Sequence, residues 1–208
     1  MDNKVLLGFL READTIMNEN KNYLIDLDSI VGDGDLGLTM GDGFKAAYEA
    51  VKDGGEADAG KLLYAAGKAM STAVPSTMGT LMASGLMQAG KVLKGKTELE
   101  DADIVSVFQG YLDGVMNRGK AKIGDKTFLD GLAPAVDALR AAVTENGENL
   151  ADAAKKAAAA AEKGFENTTT MIAVHGRAAT RGEASRSLKD PGAAVAMLLM
   201  KAFEKSLA

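Results

Sequence analysis

The stretch "DNKVLLGFLREADTIMN", Asp2 to Asn18, sets how the rest of the chain is read, because Val5, Leu6, Phe9, Leu10, Ala13, Ile16 and Met17 recur every three or four residues. A helix with 3.6 residues per turn gathers them on one face and leaves Asp2, Lys4, Arg11, Glu12 and Asn18 to solvent. The same pattern returns at about 36 to 53, 60 to 74, 79 to 95, 98 to 118, 127 to 145, 149 to 166 and 192 to 207, which predicts eight helices over most of the chain. Alternating β-branched runs are scarce, and only "TTTMIAV", Thr168 to Val174, reads as a candidate strand. The expected fold class is all-α.

Composition agrees with a folded chain of one domain, expected to span residues 1–208. Of the 208 residues, 47% are hydrophobic and 25% charged, which is close to the globular average and argues against disorder. There is no cysteine, so disulfides and thiolate chemistry are excluded, and any metal must be held by oxygen or by the single histidine, His175. A net charge of −5 and a pI near 5.0 lack the clustered basic footprint of a nucleic-acid binder. No apolar run approaches the ~20 residues of a membrane span, and the apolar part of the first segment is short for a signal peptide. The expected location is the cytoplasm, with neither nucleic acid nor membrane as a partner.

Gly and polar residues gather at four helix junctions, 32 to 43, 75 to 79, 117 to 126 and 176 to 192. No internal repeat or Pro-rich linker interrupts the pattern, and the alanine-rich stretch Glu148 to Lys163 reads as helix. "TELE", Thr97 to Glu100, and "DKT" before Phe128 read as helix starts with capping residues.

Two motifs carry chemistry. "GKVLKGKT", Gly90 to Thr97, fits the phosphate-loop expression letter for letter, but the residues before it have helical spacing, whereas a phosphate loop follows a buried strand. It reads as a helix C-terminus with Lys91, Lys94 and Lys96 near the negative dipole end, then a turn capped by Thr97. The second is "IDLDSIVGDGDLGLTMGDGF", Ile25 to Phe44. An EF-hand register fails, since starting at Asp26 puts Ile30 at the fifth position and starting at Asp33 puts Phe44 at the twelfth. What remains is Asp28, Asp33 and Asp35, with Gly32 and Gly34 allowing a tight turn. Hard carboxylates without His or Cys suit magnesium or calcium, and magnesium usually shares its shell with substrate phosphates. From residue types alone, a solvated acidic turn that only caps a helix stands equally open.

Four segments in order, "LDSIVGDGDLGLTMGDGF", "STMGTLMASG", "NRGKAKIGDKTFLDGLAPAVDAL" and "HGRAATRGEASRSLKDPGA", resemble the ADP-binding L subunit of dihydroxyacetone kinase, from about Leu24 to Met200. The resemblance implies a barrel of eight antiparallel helices with the nucleotide in the loops at one end. It implies that Asp28, Asp33 and Asp35 hold two Mg2+ ions bridging to the phosphates of ADP or ATP. By matching motif position, Leu36, Gly37, Leu38 and Thr39 and Ser76, Thr77 and Met78 would line the phosphates, and Gly119 and Phe128 would border the nucleotide. Arg177, with Asp190, Pro191 and Gly192, would close the site, and Arg177 would stabilise the transferring phosphoryl group. An aromatic at a helix start is more often core, so Phe128 carries both readings. His175 is assigned no phosphoryl-carrier role, and Asp26 and Asp42 read as turn or surface charges.

The family implies a separate K-type subunit that presents a ketose, and a chain of this length leaves no room for one. A phosphohistidine carrier of the phosphotransferase system could recharge bound ADP, or ATP could exchange. The expected function is therefore the nucleotide-binding subunit of a short keto-sugar kinase; the alternative is a catalytically silent nucleotide-sensing or interaction subunit. Departures from the family pattern bear on that choice. Leu36 and Thr39 replace a histidine and an asparagine, and "PSTMGT", Pro75 to Thr80, replaces a glycine-rich segment. These changes make another substrate, such as erythrulose, a serious possibility.

Overall fold

The computed structural model describes residues 1–208 and contains nine α-helices: α1 Lys4–Glu19, α2 Lys21–Val31, α3 Leu36–Glu49, α4 Ala59–Ala73, α5 Thr77–Val92, α6 Asp101–Gly119, α7 Phe128–Arg140, α8 Leu150–Asn167 and α9 Pro191–Ser206. A π-helical turn, Ala141–Glu145, extends α7, and 3₁₀ turns occupy Thr168–Thr170 and Arg177–Ser185. All helices but α2 are those the periodicity predicts. There is no strand. At "TTTMIAV" the hydroxyls of Thr168, Thr169 and Thr170 donate back to the carbonyls of Phe165, Glu166 and Asn167, which winds the chain on from α8 in place of a strand.

The predicted helices close into a ring. α1 packs on α3, α3 on α4, each later helix on the next, and α9 returns to α1. Short connections make neighbours antiparallel. One end is tied by bonds from Leu99 N–H to the Met1 carbonyl and from Ala59 N–H to the Lys96 carbonyl, so α1, α4 and α6 begin there. α3, α5, α7 and α9 therefore begin at the other end. α2 stands outside the ring against α3 and α9, and buries only Leu24 and Val31.

Side chains fill the ring: 55 buried apolar residues form one cluster. At its centre Phe9, Phe108 and Phe203, from α1, α6 and α9, meet edge-on or tilted at centroid distances of 4.7–6.2 Å. Each such ring contributes about 1.5–3 kcal/mol through burial. α9 is the most enclosed helix, buried without interruption from Ala193 to Met200.

Caps refine the expected helix starts. Thr127 caps α7 in a box with Asp130, as "DKT" suggested. At α6 the box is Glu100 with Asp103, three residues beyond Thr97, so "TELE" is not itself the box. The turn after α5 is likewise not closed by Thr97: Gly95 N–H donates to Asp58 Oδ2 at 3.1 Å, and Lys96 pairs with Asp103 at 2.5 Å. The phosphate-loop lookalike is thus the end of α5 followed by a turn bonded to its neighbours.

Candidate metal and nucleotide site

The acidic segment folds as the end of α2, a four-residue turn and the start of α3. Asp28 lies in the last turn of α2, and its Oδ2 accepts from Gly34 N–H at 2.9 Å, which folds the turn back over the helix end. Gly34 has φ +75°, and a Cβ there would fall 2.5 Å from Ser29 Oγ. A Cβ on Gly32 would fall 2.3 Å from Asp28 Oδ1, so both glycines are required by the fold of the turn. Asp35 is the N-cap residue of α3, yet its carboxylate makes no capping bond. One oxygen from each of Asp28, Asp33 and Asp35 lies within 4.8 Å of the others. Opposite ligands of an octahedral magnesium ion stand about 4.2 Å apart, so a small inward movement would let the three share a hard cation. Burial first, then the charges of Asp33 and Asp28, raise the Asp35 pKa above the ordinary carboxylate value; Arg177 pulls the other way. A cation would relieve that repulsion, so the donor set fits magnesium.

The triad forms one wall of a cleft of about 830 Å³ at the end where α3, α5, α7 and α9 begin. Ser76, the N-cap of α5, accepts from Gly79 N–H at 3.0 Å, and Asp190, the N-cap of α9, accepts from Ala193 N–H at 2.7 Å. Helix starts aimed into a cleft offer free amides and positive dipole ends, which suit phosphate oxygens. Across the cleft, Arg177 Nη2 donates to Asp33 Oδ2 at 2.5 Å. The fixed positive charge and the triad therefore belong to one site, although 144 residues separate the two in sequence.

The structure brings together Asp28, Asp33, Asp35, Leu36, Ser76, Thr77, Met78, Gly119, Phe128, Arg177, Asp190, Pro191 and Gly192 on the lining of this cleft. It does not bring Gly37, Leu38 or Thr39 there. Successive residues of α3 point around its axis: Gly37 is packed under the Lys21 carbonyl, Leu38 faces solvent and Thr39 turns inward. Phe128 is only 2% exposed and packs against Tyr111 as core, so it reaches the cleft as part of its floor. His175 sits at the rim, its ring bonded to Asp125 at 2.9 Å.

Sequence reasoning missed Lys126, a lining residue that is 3% exposed, and Asp130, a buried carboxylate that pairs with the predicted Asp190. Asp130 accepts from Gly124 and Thr127 N–H groups. Asp190 is pushed up to about 7, mainly by burial and further by Asp130, against the opposing pull of the Ala193 N–H and of Lys126. "GDKT" read only as a helix start. Asp130 stands four residues after its lysine, at helical spacing, yet the lysine bonds carbonyls far along the chain, which no sequence pattern marks.

An acidic triad, converging helix starts and an arginine on an all-α barrel define a site able to hold a divalent cation and phosphate together. A family profile described as the DAK2 domain matches residues 30–205, and the chain belongs to that family. Over 196 residues it is 32% identical to the PEP-dependent dihydroxyacetone kinase ADP-binding subunit DhaL of Escherichia coli (strain K12), covering 94% of this chain and 93% of that one. It is also 33% identical over 205 residues to the L-erythrulose 1-kinase of Mycolicibacterium smegmatis, covering 97% of this chain and 35% of the other. The dihydroxyacetone kinase of C. freundii, solved in complex with AMP-PNP and Mg2+, has the same fold, with a TM-score of 0.73 and 21% identity over 99% of this chain and 34% of that one. The chain thus spans nearly all of the bacterial subunit and about a third of the longer kinases.

Proposed function

We propose that this chain is the nucleotide-binding subunit of a short keto-sugar kinase. It would hold ADP or ATP with two Mg2+ ions and pass a phosphoryl group to a ketose presented by a separate K-type subunit. The observation that carries the reading is the joining of the Asp28, Asp33 and Asp35 triad to Arg177 across one cleft. Magnesium supplies charge neutralisation at the phosphates, and the three carboxylates would be its protein ligands. Leu36, Ser76, Thr77 and Met78 form the phosphate side, with Gly37, Leu38 and Thr39 acting only through the backbone of α3. Gly119, Phe128 and the Asp190, Pro191 and Gly192 turn border the rest of the nucleotide. Arg177 is the catalytic residue of this proposal: its charge would lie where negative charge grows on the transferring group. The donor is ATP or a phosphohistidine carrier.

Relatives named as dihydroxyacetone kinase subunits and as L-erythrulose kinases support both substrates. Leu36 and Met78, apolar on the cleft wall, favour the second reading of a nucleotide-sensing subunit that does not turn over.

Purified chain titrated with ADP and Mg2+ is expected to bind, and Asp33→Ala to abolish binding while the circular dichroism stays helical. Mixed with a K-type subunit, ATP and either dihydroxyacetone or erythrulose, the parent chain is expected to consume ATP. Binding without consumption with any short ketose would leave the sensing reading; no binding at all would sink both.

A further inference from the structure

The cleft is covered on one side by the segment from Met171 to Arg186, which carries Arg177 and is mostly exposed. It touches the triad wall at two points: Arg177 bonds Asp33, and Arg181 Nη2 donates to the Ile30 carbonyl. Its two ends meet at a common base, the arrangement of an Ω-loop. There Lys126 Nζ donates to the Ser185 carbonyl at 2.5 Å, the Arg186 carbonyl at 3.0 Å and the Met171 carbonyl at 3.3 Å, joining the exit of the loop to its entrance. Ser185 Oγ adds a second tie, accepting from Ala173 N–H and donating to the Gly182 carbonyl.

Lys126 is an expensive residue for this place. Its backbone is left-handed at φ +62°, and its ammonium is buried. Burial lowers its pKa, an effect that Arg186 adds to and Asp190 opposes. All three of its N–H donors are engaged by backbone carbonyls, so none is free to hold a phosphate. A cation is favourable at carbonyls that end a helical turn, even where one of them, that of Ser185, also accepts from the Leu188 N–H.

We propose that Lys126 is a positioning residue for the reaction: it closes the base of the Met171 to Arg186 loop and so holds Arg177 over the cleft, setting nucleotide affinity without touching the nucleotide. The proposal rests on the nucleotide-binding reading above. It is tested on the full chain with Lys126→Met, which keeps the stem and removes the ammonium, and with Ser185→Ala, which removes the second tie alone. Amide hydrogen exchange without nucleotide is expected to quicken about tenfold within residues 174–186 in Lys126→Met, and less in Ser185→Ala, with α5 and α8 unchanged. Titration with Mg-ADP is expected to show an affinity weaker by about tenfold at unchanged stoichiometry, as for other residues that orient ligand-contacting groups. A merely structural role would instead lower the competent fraction at unchanged affinity. Loop exchange equal to the parent, exchange raised equally in α5 and α8, or unchanged affinity in Lys126→Met would overturn the proposal. Because exchange is read without nucleotide, a parent chain that fails to bind Mg-ADP would defeat the functional reading separately from the loop closure.

Discussion

The two ends of the barrel are made from the same parts, helix starts and short turns rich in Asp and Gly, but they treat their carboxylates oppositely. At the end away from the cleft, Asp58 is held below its ordinary pKa by N–H bonds from Lys61, Gly95 and Gly60. Asp152 is held down by Asn149 and Lys155, and Glu148 by Lys156 and Asn146. For Asp103, burial works upward, yet bonds from Lys96 and the Glu100 N–H outweigh it. At the cleft end, Asp35 and Asp190 are pushed up. Asp125, held down by the Lys122 N–H and His175, is the exception at the rim. Carboxylates already satisfied by amides and lysines are structural, whereas those crowded by burial and by like charge have capacity for a ligand.

Perturbing each end in turn tests this contrast. The largest effect is expected from Arg177→Ala, which should lower turnover with the partner subunit about 10²- to 10³-fold, read in a coupled ATP assay, with a smaller change in nucleotide affinity. An unchanged rate would place Arg177 with the exposed, inert pairs. Next is Asp190→Asn, which keeps an acceptor for the Ala193 N–H. Since the folded pKa of Asp190 is raised to about 7, the folded state binds more protons than the unfolded state between about pH 4 and 7, and stability falls as pH rises through that window. Urea denaturation at pH 4 and pH 8 should therefore show the parent losing on the order of 2–4 kcal/mol relative to Asp190→Asn. The smallest effect belongs to the far end: Asp103→Ala should cost about 1 kcal/mol through its lost cap and leave turnover untouched. That loss should be seen near neutrality and vanish as acid protonates the parent residue below its depressed pKa, the reverse of the Asp190 trend.

The ring was legible in sequence because helices such as α1 bury one stripe against a common core, as the spacing of Leu6, Phe9, Leu10 and Ala13 shows, while the enclosed α9 is apolar nearly all round. α2 was not, because a helix lying outside the ring needs only Leu24 and Val31 as anchors, and its acidic end reads as part of a loop. The triad could be read, since ligand chemistry is written in residue types. The closeness of Arg177 to Asp33 could not be read from spacing, and came only through the family resemblance. Lys126 left no trace at all. A lysine bonded to main-chain carbonyls has partners that any residue could supply, so nothing at Met171, Ser185 or Arg186 marks the contact.

α9 gives the site a reach beyond its own loops. The helix begins in the cleft at Asp190 and ends beside α1, buried along most of its length. A ligand that grips the Asp190, Pro191 and Gly192 turn thereby grips the chain's most enclosed helix, and opening the barrel would mean first letting that ligand go. Occupancy should accordingly register as a raised melting temperature and slower proteolysis throughout the chain, rising with ligand concentration, so that thermal denaturation becomes a binding assay that needs no partner subunit.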